Sequence, residues 1–226
     1  MGQDLWVLHN VFPGRTDPGF FVEAGASDGV YSSNTYLLET AHNWTGLCCE
    51  PNRKFFARLQ QNRKCAVRNC ALGDRDGEAE FIEAGWFGVV PSLVEDVFAA
   101  QGQSIEQHVN YQKDFDGEQA ERVKVALRSL DSLLDEVSAP ETIEYLSLDV
   151  EGGELAVLSA YPFAKRRILC MTVELHYPDP NGNLVDTMNC SAVRKLLRDN
   201  GYALAKSLFV DDFFVHESIL EGYRAE

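Results

Sequence analysis

Positive charge is scarce in this chain. Its 226 residues hold 20 Lys plus Arg against 35 Asp plus Glu, a formal net charge of −15. A surface of that sign repels phosphate backbones and anionic headgroups, so nucleic acid and anionic membranes are excluded as non-specific partners. Long apolar runs are also missing. No segment approaches the roughly 20 residues that a membrane-spanning helix needs. The start, "MGQDLWVLHNVF", has an acid and no basic stretch, so a secretory signal is not expected and the cytoplasm is favoured. Trp6 stands where N-myristoylation needs Ser or Thr. The six cysteines, Cys48, Cys49, Cys65, Cys70, Cys170 and Cys190, contain no C-x-x-C pair. Most fall in apolar strand-like runs and read as buried, reduced thiols. The sequons at Asn43 and Asn189 are patterns short enough to arise by chance. Four basic residues do cluster, Arg58, Arg63, Lys64 and Arg68, and read as a solvated helix end.

What is present suits one globular domain over residues 1–226. Hydrophobic residues make up 45% and charged residues 24%, enough to bury a sizeable core. Phe20 to Ala24 is an apolar strand stopped by glycine, and "SSNTYLLETAH" is a helix capped by Ser33 or Asn34. Thr45 to Glu50 is a second strand, and Pro51-Asn52 opens a helix. "KCAVRNCALG" reads as a third strand ending near Leu72. "GEAEFIEAG" and "ERVKVALRS" alternate as half-exposed strands do, with an insertion expected over residues 85–121 between them. "IEYLSLDVEGGELAVLSAY" is a buried strand, an acidic turn and a helix. "ILCMTVELHYP" is a fifth strand running through Glu174 and His176, and "SAVRKLLRDNG" is a helix stopped at Gly201. "YALAKSLFVDDFFVH" closes the chain as a hairpin. Strands that alternate with helices predict an α/β fold, a mostly parallel sheet covered on both faces, with an antiparallel C-terminal edge. Ligands bind such sheets at the carboxyl ends of their strands. Glu23, Glu50, Asp149 and Glu174 all lie at or near such ends.

"FVEAGASDGVYSSN" admits two readings. Gly25-Ala26-Ser27-Asp28-Gly29 matches the G-x-S-x-G elbow of a serine hydrolase, with Ser27 as nucleophile and Asp149 and His176 or His216 following in order. That elbow needs a sheet and an oxyanion-hole loop built before it, and only about twenty residues precede this one. The second reading is a glycine turn that lets backbone approach a nucleotide. Glu50 lies about 20 residues further on, where an acid binds ribose hydroxyls. The second glycine of G-x-G-x-x-G, at the motif's third position, is replaced by Ser27, and the acids Glu23 and Asp28 repel a pyrophosphate. They favour a ligand with a cationic portion, such as S-adenosylmethionine.

The segments "FVEAGASDGVYSSNT", "WTGLCCEPN", "CALGDRDG", "SLDSLL", "YLSLDVEGGELAVL" and "VELHYP" together resemble the FkbM-type, S-adenosylmethionine-dependent methyltransferases. The resemblance implies a Rossmann-like seven-stranded sheet and methyl transfer, usually to oxygen, with a small-molecule or glycan acceptor. It implies that Glu23, Gly25, Ala26, Asp28, Gly29 and Asn34 form the turn around the cofactor's amino-acid portion. Glu50, Pro51 and Asn52 would then hold the ribose, and Ala71 and Leu72 would line the adenine pocket. For chemistry, Asp149, Glu174 and His176 are expected together. Either Asp149 or His176 deprotonates the acceptor, or all three bind a divalent metal ion that acidifies it. A non-catalytic interaction module of the same fold is the alternative, which the full set of ligand-site acids opposes.

Overall fold

Apolar runs of five to eight residues become strands here, and the amphipathic segments between them become the covering helices. The structure is a computed structural model that describes residues 2–84, 87–100, 104–106, 120–178, 184–186 and 189–225. A short helix α1 (Gln3–Trp6) runs on into a π-helical turn. Then follow β1 (Phe20–Ala24), α2 (Tyr36–His42), β2 (Thr45–Cys49), α3 (Arg53–Asn62) and β3 (Ala66–Arg68). The middle of the chain supplies β4 (Ala71–Gly73), β5 (Gly77–Ala84), β6 (Phe87–Val89), α4 (Pro91–Ala100) and β7 (Glu121–Ser129). The remainder gives α5 (Leu130–Glu136), β8 (Thr142–Leu148), α6 (Glu154–Ala160), β9 (Arg167–Glu174), β10 (His176–Pro178) and β11 (Leu184–Asp186). It ends with α7 (Cys190–Asp199), β12 (Tyr202–Leu208) and β13 (Asp211–His216).

The main sheet has seven strands in the order β12-β13-β9-β8-β1-β2-β3. Only β13 runs against the others, pairing antiparallel with both β12 and β9. Alternation along each strand feeds two cores. Val22 and Ala24 pack toward Leu133, Leu134, Val157, Leu158, Val193 and Leu197 of α5, α6 and α7. Phe21 and Tyr145 pack the opposite way, against Trp6, Leu38 and Leu59 of α1, α2 and α3. Both faces of the sheet are thus covered, as parallel strands require. The order reverses between β1 and β8, and a crevice forms where such a reversal occurs.

A second sheet of four strands, β4-β7-β5-β6, stands beside the first. Its existence corrects the expectation of one strand through "KCAVRNCALG". The Asn69 side chain donates to the carbonyls of Glu50 and Pro51, which breaks the strand and turns Ala71 into the second sheet. The expected fifth strand is interrupted in the same way. The amides of Leu175 and His176 both donate to the Val210 carbonyl, so β9 ends at Glu174 and β10 pairs instead with β11. Of the insertion expected at 85–121, β6 and α4 are described, and most of the remainder lies outside the described residues. Neither Ser33 nor Asn34 is the N-cap of α2. Thr35 holds that position, while Ser33 Oγ accepts from the Thr35 and Tyr36 amides. Among the described residues, no helix is long and apolar enough to cross a membrane.

Candidate functional site

A cleft of about 740 Å³, partly open to solvent, lies over the reversal point. The main sheet contributes Gly25, Ser27, Glu50, Pro51, Asn52 and Asp149 to its lining. The second sheet and its flank close it with Ala71, Leu72, Phe81, Gly88, Val90 and Leu93. One wall is therefore polar and the other apolar, the profile of a site that grips a flat base and a polar tail.

The glycine turn is shaped by close approach. A Cβ placed on Gly25 would sit 2.1 Å from the Asp149 carbonyl oxygen, and φ is +78°. The amides of Gly25 and Ala26 both donate to the Cys49 carbonyl, at 3.1 and 3.0 Å. Gly29, at φ +80°, has Leu59 and Arg63 of the α3 end where a Cβ would lie. Only glycine fits either position. Ser27 takes φ +49°, and its buried hydroxyl has no hydrogen-bond partner. Among the described residues, no histidine lines the cleft. Among those residues a Ser27 nucleophile has no histidine base, which adds to the topological argument against the hydrolase reading. What Ser27 offers is a free hydroxyl facing a ligand space, a role that sequence reasoning missed.

Glu50 is 7% exposed, and its two oxygens accept from the Ser27 and Asn52 amides at 2.8 Å each. Those bonds clamp the glycine turn to the end of β2. Burial pushes the carboxyl up to about 7, partly offset by the two amides and reinforced by Asp149 and Glu83. Glu154 has the same value for the same leading reason, and it caps the Val150 and Gly152 amides in the acidic turn before α6. A folded-state pKa raised above that of the unfolded chain means that the folded protein holds more protons between the two values. This contribution is complete below about pH 4.5 and is lost as the pH rises through about 7. The size is roughly 3 kcal/mol per group. Urea unfolding of the ligand-free protein should therefore give a midpoint that falls from pH 5 to pH 8. A flat or rising midpoint would contradict the assignment.

Glu23 does not line the cleft. Strand alternation turns it to the opposite face, where it is 2% exposed. There it accepts from the Asn34 amide (2.6 Å), Thr35 Oγ1 (2.6 Å) and Ser33 Oγ (2.9 Å), and pairs with Arg63 Nη1 (3.2 Å). Arg63 is 5% exposed and also binds Glu39. It is the core of a buried network rather than part of the solvated helix end expected of it. Its partners lie far away in sequence, which hides the role. Asp28 is likewise spent on the loop itself, accepting from the Val30 and Tyr31 amides. Asn34 reaches Ser147 Oγ at 2.9 Å. Ala26 is buried beneath the turn.

Asp149, Glu151 and Glu174 bring carboxylate oxygens within 4.8 Å of one another. Asp149 and Glu174 face each other across this cluster. Burial raises both, and the charge of Asp149 pushes Glu174 well above the usual carboxylate range. Glu174 Oε2 is buried without a partner. Asp211, opposite Glu174 in the β9–β13 ladder, extends the row and is raised to about 6 by burial and by Asp149. It accepts from Gln3 Nε2 at 2.7 Å.

His176 does not join this set. Its Nε2 lies 2.9 Å from Asp212 and its Nδ1 lies 3.0 Å from Asp186. Asp212 is further held by Arg194 and Ser207. The triad Asp149, Glu174 and His176 is therefore replaced, among the described residues, by Asp149, Glu151 and Glu174. The cause is the break at Leu175, which cancels the alternation that would have put Glu174 and His176 side by side.

The sequence matches the methyltransferase FkbM domain family over residues 23–204. No curated protein matches it. Among solved structures, it is similar to the methyltransferase FkbM from Methylobacillus flagellatus KT, with a TM-score of 0.52 and 15% identity over 91% of this chain and 45% of that one. The chain thus spans under half the length of that protein. A weaker likeness is to the precorrin-6y C5,15-methyltransferase from Geobacter metallireducens GS-15, with a TM-score of 0.43 and 8% identity over 94% of this chain and 85% of that one.

Proposed function

Because the chain belongs to the FkbM methyltransferase family, we propose that it moves a methyl group from S-adenosylmethionine to a hydroxyl oxygen of a small molecule or glycan. The observation that carries this reading is the cleft at the strand-order reversal. There a glycine turn, a buried acid at the end of β2 and an apolar wall converge on one space. The unpartnered Ser27 hydroxyl and the close contact at Gly25 suit a ligand that the backbone must approach.

S-adenosylmethionine supplies an electrophilic methyl carbon on a sulfonium that is already a good leaving group. The chain's residues have the remaining work. Gly25, Ser27 and Asn52 present backbone and hydroxyl to the ligand, and Glu50 receives the ribose hydroxyls. Asp149 takes the proton that the acceptor hydroxyl loses, while the protonated Glu174 hydrogen-bonds to it and holds it in place. Alignment of the acceptor with the methyl carbon supplies much of the acceleration. Nucleic acid is not proposed as an acceptor, since the net charge of −15 opposes it.

Calorimetry with S-adenosylhomocysteine tests the cofactor half. Hydroxyl donors favour the charged form of Glu50, so binding at pH 6.5 should expel a proton, and the observed heat should differ between phosphate and Tris. Glu50→Gln should abolish that difference and weaken affinity roughly 10- to 100-fold. Unchanged affinity in the variant would remove Glu50 from the ribose site. A wild-type protein that ignores the ligand altogether would instead favour the non-catalytic module.

A second reading, a divalent cation in place of the shared proton, is supported by the convergence of Asp149, Glu151 and Glu174. Those oxygens suit a hard ion such as Mg²⁺. It predicts that EDTA stops turnover and that Mg²⁺ restores it. Turnover unaffected by EDTA leaves the proton-transfer reading in force.

A further inference from the structure

Five of the six cysteines are buried, and Cys65 is the exception. It sits half-buried on the bend between α3 and β3 and lines a groove that shares no residue with the cleft. Lys64 and Asn62 border the same groove. Cys48 lies beneath, 0% exposed, with its Sγ 3.6 Å from that of Cys65. The Cys48 thiol donates to Glu23 Oε2, 3.8 Å away, which leaves a sulfur lone pair to face Cys65. Both thiols are free. A disulfide needs its sulfurs about 2.05 Å apart. Cys65 precedes the β2–β3 ladder rather than belonging to it, so a small shift of its bend closes the gap.

We propose that Cys65 and Cys48 form a thiol–disulfide exchange site, in which Cys65 reacts with a small-molecule disulfide of the glutathione class and Cys48 converts the product into an internal Cys48–Cys65 bond. In the first step the Cys65 thiolate attacks one sulfur of oxidised glutathione. The glutathione S–S bond breaks, a mixed disulfide forms on Cys65, and one glutathione thiolate leaves. In the second step the Cys48 sulfur attacks that of Cys65, and the second glutathione leaves with the Cys48 proton. Two protein thiols are oxidised and one glutathione disulfide is reduced to two thiols. The order follows from access and charge. Cys65 opens on the groove, where Lys64 offers a cation to the glutathione carboxylates. Burial, the Cys65 thiol and the Glu23 carboxylate hold the Cys48 thiol well above its ordinary range, so it is the poorer first nucleophile. Proximity serves it in the second step. The new bond ties the end of β2 to the start of β3 and encloses Glu50, Asn52 and the whole of α3 in one loop. This site is independent of the S-adenosylmethionine reading of the cleft.

The test treats the folded wild-type protein with oxidised glutathione, blocks the remaining thiols with N-ethylmaleimide under denaturing conditions, and maps the peptides by mass. The peptides holding Cys48 and Cys65 should be joined, and Cys49, Cys70, Cys170 and Cys190 should carry the blocking group. The joined protein should melt roughly 5–10 °C higher, and dithiothreitol should reverse the shift. Cys48→Ser should stop at the first step, with one glutathionyl group on Cys65. Cys65→Ser should take up no glutathione and form no link. Where the serine variant loses its native circular dichroism, Cys48→Ala repeats the measurement with a side chain suited to the apolar surroundings. A wild-type protein that keeps all its thiols free, or that joins Cys49 to Cys70 instead, would overturn the proposal. So would a wild-type protein that retains glutathione on Cys65, since Cys48 would then not complete the exchange.

Discussion

Arg63→Ala should cost the protein roughly 3–5 kcal/mol, measured as a loss of unfolding free energy in urea. The guanidinium touches Glu23, Glu39, the Gly29 carbonyl, Ser33 Oγ and Thr35 Oγ1. It also lies over the rings of Phe21 and Tyr36, 5.3 and 5.9 Å from their centroids. Truncation leaves two carboxylates, 3% and 9% exposed, without the cation between them. An uncompensated buried charge of that kind consumes a large share of the 5–15 kcal/mol typical of a folded domain. Arg63→Lys should recover only part of the loss, because one ammonium cannot reproduce a fork of donors spread over five acceptors. Adding Glu23→Gln to Arg63→Ala should restore stability relative to the single variant. If Arg63→Ala lies within 1 kcal/mol of wild type, the network is not what holds the turn.

The second large effect concerns turnover. Asp149→Asn keeps the shape of the side chain and the carbonyl that packs on Gly25, but it cannot accept the acceptor's proton. Its kcat should fall by roughly 10²- to 10⁴-fold. Affinity for S-adenosylhomocysteine should stay within about threefold. Glu174→Gln makes the complementary measurement. Its amide still donates to Asp149, so it should keep most of the turnover. A larger loss for Glu174→Gln than for Asp149→Asn would reverse the two roles. His176→Ala should leave kcat near wild type and instead lower stability, since Asp212 loses one of its buried partners.

The parts of the fold that could be read from sequence were those with a local cause. The apolar run at Phe20–Ala24 and the glycine after it define β1, and the same logic found β2, β8 and the C-terminal hairpin. Glu50 was found because spacing alone places an acid at the end of the next strand. The misses share a non-local cause. Asn69 breaks a strand by reaching carbonyls 18 and 19 residues away, which no pattern in "KCAVRNCALG" reveals. Leu175 interrupts a smooth apolar run because Val210, on a later hairpin, captures two amides at once. Glu23 looked like a cofactor contact because a strand-end acid gives no sign of which face it will occupy. The ligand-facing hydroxyl of Ser27 has no signature in the sequence, since an unpartnered hydroxyl becomes visible only once its surroundings are placed.

The second sheet leaves the main body and returns to it at one place. Ala71–Gly73, where the chain departs, pairs directly with Leu127–Ser129, where it comes back. Asp76 ties the two ends together by accepting from the Ser129 amide and from Ser132 Oγ. The excursion between them is therefore a closed cassette whose ends are already joined. Replacing residues 77–126 with the corresponding segment of another family member would leave the spacing of the main sheet untouched. Such a chimera offers a direct route to re-engineering one wall of the cleft by recombination rather than by point substitution.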